Sequence, residues 1–221
     1  MFPFVFAAFM IAGFIGLAIY AGVREKKRRE GLRLIASELG LEYGEALSGI
    51  DAERFYRFPL AQRGKYPKAS SAIIAESDDQ RMVLFDYQYV TGSGKHRKTH
   101  HLATLLCYSP RLNVPSMSLE PESWTNKVAT FFGGQDICFE EDPAFSTVFR
   151  WRGPDPEAIR KFLIPVRREK LREHFNDCVE AHGDSFILYR KYKQLSAADV
   201  HSLLKDGLAT AEALGLNVDS N

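Results

Sequence analysis

The chain has 221 residues, with 29 basic side chains against 28 acidic ones, and three cysteines. This near-balance supplies no global field for nucleic acid, so no nucleic-acid partner is expected. Cys107, Cys138 and Cys178 form no CxxC and no paired framework, which excludes a disulfide scaffold and suits a reducing compartment.

Residues 1–23 carry no charged side chain and run straight into REKKRRE, residues 24–30. As a helix, residues 2–23 would be about 33 Å long, against a hydrocarbon core of about 30 Å. Phe4, Phe6, Phe9, Ile11, Phe14 and Ile19 are spread around the whole helix rather than along one stripe. The expectation is a transmembrane helix over 1–23, a juxtamembrane basic helix over 24–40 and a cytoplasmic α+β domain over 41–221. A cleaved signal fits less well, because there is no basic segment before the apolar run and no small-x-small site before Arg24. Arg24, Lys26, Lys27, Arg28 and Arg29 are then membrane-flanking cations that retain this side in the cytoplasm. The expected setting is the inner membrane, single-pass, with the N-terminus outside and the lipid bilayer as a partner.

Residues 24–39 read as a helix leaving the membrane, with Leu32, Ile35, Ala36 and Leu39 at helical spacing and Gly40 to stop it. Short aromatic and apolar runs follow at 41–43, 55–60, 72–75 and 81–90, all read as strands. In RMVLFDYQYV, residues 81–90, alternation puts Val83, Phe85, Tyr87 and Tyr89 on one face, taken as the core face. Met82, Leu84, Asp86 and Gln88 lie on the other. Residues 102–108 are its hairpin partner, with Gly92 and Gly94 in the turn. Strands at 116–119 and 136–139 flank an amphipathic segment at 124–132 and a Gly133-Gly134 turn. Helices are expected from Pro156, then through Leu171, Phe175 and Cys178, and a strand at 183–190. A closing helix over 195–214 is capped by Ser196. Meander-like strands with helices grouped late give an α+β fold with a mainly antiparallel sheet and C-terminal helices.

The hairpin connection TGSGKHRKTHH, residues 91–101, is the first place to look for chemistry. A phosphate-binding loop needs GxxxxGK[ST] between a strand and a helix. Here Gly94-Lys95 is followed by His96 and then by a strand, so the motif fails. His96, His100 and His101 could ligate a metal, but on a strand His100 and His101 take opposite faces, and Arg97 and Lys98 oppose a cation. A basic hairpin tip remains, with Lys95, His96, Arg97 and Lys98 as candidates for contact with anionic lipid headgroups. Asp136, Glu140, Glu141 and Asp142 cluster without a partner at catalytic spacing, and Asp142-Pro143 reads as a turn. Cys107 lies in an apolar strand and is expected to be an inert buried thiol. No GxSxG, HExxH, GxGxxG or kinase signature occurs.

FDYQYVTGSGKHRKTHH, together with DICFEEDPAFSTVFRWRGPDPEAIRKFL, resembles an uncharacterised group of bacterial single-span membrane proteins with an aromatic hairpin and a TGSGK-like turn. The resemblance implies a bacterial membrane setting and carries over no activity, cofactor or catalytic residue. The expected function is a cytoplasmic-side binding or scaffolding module with an unknown protein partner, leaning away from catalysis. The alternative is a membrane-tethered hydrolase or metal-dependent enzyme using the histidine-rich hairpin. No catalytic residue, metal ligand or cofactor is assigned.

Overall fold

Met82 and Leu84 alternate with Val83, Phe85, Tyr87 and Tyr89, and all six are buried. A strand buried on both faces requires a covering layer on each side of its sheet. The computed structural model describes residues 2–121, 136–174 and 177–216, with the side chains of 2–15, 173 and 174 outside the described part. Its strands are β1 (Glu42–Ala46), β2 (Lys65–Glu76), β3 (Arg81–Thr91), β4 (Lys98–Tyr108), β5 (Val114–Pro121), β6 (Phe149–Arg152), β7 (Cys178–Gly183) and β8 (Ser185–Lys191). They form one sheet in the order β1-β2-β3-β4-β8-β7-β5-β6, and every neighbouring pair is antiparallel. The helices are α1 (Phe2–Glu38), α2 (Gly49–Phe55), α3 (Pro143–Val148), α4 (Pro156–Phe162), α5 (Pro165–His174) and α6 (Ala197–Ala213). The α+β class with a mainly antiparallel sheet is therefore the one the chain adopts.

Two apolar layers sandwich the sheet. On one face, Leu32 and Ala36 of α1 and Val200 and Leu203 of α6 pack with Met82, Leu84 and Leu105. Gly207 lets α6 approach β4, since a Cβ there would lie 2.5 Å from Leu105 Cδ1. On the other face, Phe55, Phe58 and Leu60 cover Val83, Phe85, Tyr87, Tyr89 and Tyr189. The Phe55 ring stands edge-on to Phe85 at 4.9 Å and to Tyr87 at 4.8 Å, an arrangement aromatic quadrupoles favour. Alternation along β3 identified this second layer only. The Met82–Leu84 face is also core, because α1 and α6 return to it from the two ends of the chain.

The single-pass membrane reading is corrected at α1. The backbone is helical from Phe2 to Glu38, but the side chains of residues 1–15 lie outside the described part. Among the described residues, no helix is long and apolar enough to cross a membrane.

The basic residues assigned to flank that span divide into two sets. Arg24, Lys26 and Lys27 are exposed. Arg28 turns inward, donating from Nη1 to Asp86 of β3 and, at 2.6 Å, to the Leu195 carbonyl before α6. Arg29 pairs with Glu25 at 2.8 Å and with Glu45 of β1 at 3.6 Å. The Arg28 and Arg29 hydrogen bonds draw the Glu25 carboxyl down to about 2, against a smaller opposing effect of partial burial. These two arginines dock α1 onto the sheet.

Other expectations shift for local reasons. Residues 55–60, read as a strand, are the end of α2 and a 3-10 turn, Pro59–Gln62, because Pro59 has no N–H for a ladder. Residues 136–139 form no strand: Ile137 N donates to the Trp151 carbonyl at 2.8 Å, and Phe139 N donates to Ser146 Oγ instead. The helix through Leu171 ends at His174, and Cys178 belongs to β7 opposite Tyr189. Asp142-Pro143 opens α3 rather than a turn, with the Asp142 carboxylate accepting from Phe145 N at 3.1 Å. The amphipathic segment at 124–132 and the Gly133-Gly134 turn lie outside the described residues. Ser196 caps α6 as expected, in a capping box with Asp199.

Candidate functional site

The β3–β4 hairpin forms as the sequence implies, with Thr91 opposite Lys98 and Tyr89 opposite His100. Gly92 holds φ at 72°, and a Cβ there would come within 2.3 Å of the His96 carbonyl oxygen, so the turn excludes other residues. Lys95, His96, Arg97 and Lys98 are all exposed. Arg97 lies over the Tyr66 ring at 5.8 Å. Among the described residues, no group of three or more His, Cys, Asp or Glu side chains could hold a metal ion. His100 Nε2 is instead bonded to Thr91 Oγ1 at 2.7 Å, and its ring stacks on Tyr89 at 4.7 Å. Burial, with Lys98 and His101 nearby, holds the His100 imidazole below its ordinary value.

A larger concavity, about 360 Å³, opens at the other end of the sheet. One wall is Arg54, Arg57, Phe58 and Pro59, from the end of α2 and the link to the 3-10 turn. The other is Ser116 of β5, Ala181 and His182 of β7, Asp184 and Ser185. Its size is within the range of small-molecule sites. Three local features shape it. The β5–β7 register shifts between Val114 and Met117, a bulge that re-aims Ser116. Gly183, at φ 60°, closes the two-residue β7–β8 connection. Gly153 lets the segment after β6 press against β5, since its Cβ would fall 2.5 Å from the Ser116 carbonyl oxygen and 2.4 Å from Ile159 Cδ1. Gly153→Ala is therefore expected to cost about 1–3 kcal/mol, read as a lowered urea midpoint.

Within the cleft, Arg54 Nη1 donates to Asp184 Oδ1 at 2.6 Å and to Ser185 Oγ at 3.0 Å, while the guanidinium lies over the Tyr108 ring at 4.3 Å. Tyr108 OH donates to Asp51 Oδ1 at 2.9 Å, and Arg81 grips both oxygens of Asp51. Partial burial works to raise the Asp184 carboxyl, but the hydrogen bonds from Arg54 and Ser185 prevail and hold it below its ordinary value. Arg57 is exposed at the rim and, among the described residues, has no ion-pair partner. Ser116 Oγ and His182 Nδ1 are 2.6 Å apart. Among the described residues no carboxylate bonds the His182 ring, so the pair lacks the orienting group that a nucleophile–base relay uses.

The remaining sequence candidates are structural. Glu141 pairs with Arg168 at 2.6 Å, Asp142 with Arg172 at 2.9 Å, and Asp136 with Arg152 at 2.7 Å. Burial pushes the Cys107 thiol up to about 12, as it does Cys178. No motif in the sequence announces the cleft. Its local signals are weak ones: Pro115 beside Ser116, Pro59 breaking an apolar run, and Gly183-Asp184 within a strand pair.

No family model matches the chain. No curated protein matches it. Among solved structures, the crystal structure of the mycobacterial trehalose monomycolate transport factor A, TtfA, is similar, with a TM-score of 0.56 at 8% identity over 86% of this chain and 94% of that one. At that identity the likeness is one of fold.

Proposed function

We propose that this chain is a binding module serving a transport process, and that its cleft receives a ligand with an apolar body and an acidic end group. The cleft carries this reading. Phe58 and Pro59 offer an apolar wall, Arg57 stands at the rim with no carboxylate among the described residues, and Arg54 is pre-set by Asp184. The fold shared with a protein titled a transport factor adds a fold-level analogy to a carrier or accessory role, and the site rather than the fold has to carry it.

The test uses the full chain and the fluorescent sulfonate anilinonaphthalene sulfonate, displaced by dodecanoate. Saturable, dodecanoate-sensitive fluorescence is expected, weakened about tenfold by Arg57→Glu, roughly 1.4 kcal/mol. His182→Trp, which fills the cleft from an exposed position, should abolish it. Fluorescence unaffected by both substitutions would place the probe elsewhere and remove the proposal.

A further inference from the structure

We infer that the base of the β3–β4 hairpin, remote from the cleft, is a binding site for a phosphoryl group. Antiparallel register brings the residues together. Tyr89 faces His100, Thr91 faces Lys98, and Leu102 faces Lys191, so the ends of β3, β4 and β8 converge. Between them lies a cavity of about 120 Å³, lined by Tyr89, Lys98, His100, His101, Lys191 and Tyr192.

Its walls are fixed in three ways. Tyr89 is buried and stacked on His100, and the hydrogen bond between Thr91 Oγ1 and Nε2 fixes the imidazole. His100 Nδ1 is then left without a partner among the described residues. Tyr192 is held at φ 62°, a conformation a bulky residue rarely adopts. That turn sets its ring 5.0 Å from Lys98 Nζ. A non-glycine residue kept in this region is a cost that recurs at ligand clamps.

The charge balance selects an anion. Lys98 has no carboxylate within ion-pair distance among the described residues, and the same holds for Lys95, Arg97, Lys65 and Lys68 around it. Lys65 and Lys68 lie opposite Val90 and Gln88 on the neighbouring strand, at the same end of the sheet. Lys191 is steadied by Glu120 at 3.1 Å, which keeps its ammonium in place while cancelling part of its charge. A compact dianion could take up the Lys98 charge and an imidazole nitrogen together, and the surrounding cations raise its local concentration. The exposed tip residues supply field, and the cavity supplies the contacts.

Isothermal titration of the full chain with inorganic phosphate tests this. Saturable binding is expected, competed by glycerol 3-phosphate, weakened at least fivefold by Lys98→Gln and less than twofold by Lys95→Gln, which removes the same charge from the turn. Absence of saturable binding, or equal effects of the two substitutions, would overturn the site in favour of a diffuse field. Two further arms identify the source of the phosphoryl group. Binding of glycerol 3-phosphate alone points to a free phosphomonoester. Co-sedimentation with phosphatidic acid vesicles that Lys98→Gln removes points to a lipid headgroup.

Discussion

Arg28→Ala is expected to lower the stability of the chain by about 2–3 kcal/mol in urea unfolding. Asp86 is 7% exposed on β3. Its carboxylate accepts from Arg28 and, at 2.6 Å, from the Leu195 backbone N–H. Burial pushes this carboxyl above its ordinary value although Leu195 N–H and Arg28 both pull the other way. The charge is therefore expensive where it sits, and removing Arg28 leaves it with one neutral donor. Breaking a fully buried pair costs about 3–5 kcal/mol, and the lower figure here allows for water reaching the edge of the guanidinium. Arg28 also donates to the Leu195 carbonyl, so the same substitution loosens the entry to α6. Asp86→Asn in the Arg28→Ala background should recover most of the loss, since it discharges the carboxyl and keeps an acceptor for Leu195 N–H. An Arg28→Ala midpoint equal to the parent's would mean that the apolar packing of Leu32 and Ala36 and the Arg29–Glu45 pair hold α1 to the sheet without the Arg28–Asp86 contact.

Short-range preferences are legible in this chain, and long-range pairings such as this clamp are not. Strong local signals translated directly: the aromatic alternation of β3, the glycines of its hairpin and the Ser196–Asp199 box of α6 each express a short-range preference. Arg28 was read by its neighbours in sequence, as one of five cations beside an apolar run. Its role is set by Asp86, 58 residues away, and no local pattern encodes that pairing. The cleft was illegible for the same reason. Ser116 and His182 are 66 residues apart and meet only because the sheet order places β7 between β5 and β8. The segment at 55–60 failed differently. Its apolar run was legible, but Pro59 and the packing of Phe55 against β3 favour a helical cap over another strand. Among the hairpin cations the sequence pattern groups Lys95 to Lys98 as one exposed tip, whereas the structure separates Lys98, which lines a cavity with His100 and residues of β8.

The second large effect is expected at Glu180, whose substitution by alanine should cost about 3–5 kcal/mol and weaken probe binding in the cleft. Glu180 is fully buried on β7. It accepts from Leu60 N at 2.8 Å, Arg63 Nη2 at 2.9 Å and Tyr189 OH at 3.2 Å. Two of those donors belong to the segment that follows Phe58 and Pro59, so this one carboxylate pins the apolar wall of the cleft to the sheet. Alanine would orphan the Leu60 N–H and leave the Arg63 guanidinium, itself largely buried, with only Glu120 at 3.7 Å. Glu180→Gln keeps an oxygen acceptor and should cost about 1 kcal/mol near neutral pH. The pH dependence separates charge from hydrogen bonding. Burial, opposed by Arg63 and the Leu60 N–H, raises the Glu180 carboxyl in the folded chain above its ordinary value of 4.5. The folded state thus keeps a proton that the unfolded chain has released, so the stabilising contribution is full below the unfolded value and declines as pH rises through the folded one. The cost of Glu180→Gln should therefore be greatest in mild acid and shrink toward neutrality. A cost that instead grows with rising pH would show that Arg63 outweighs burial, and that the wall of the cleft is held by an ion pair rather than by a buried acceptor.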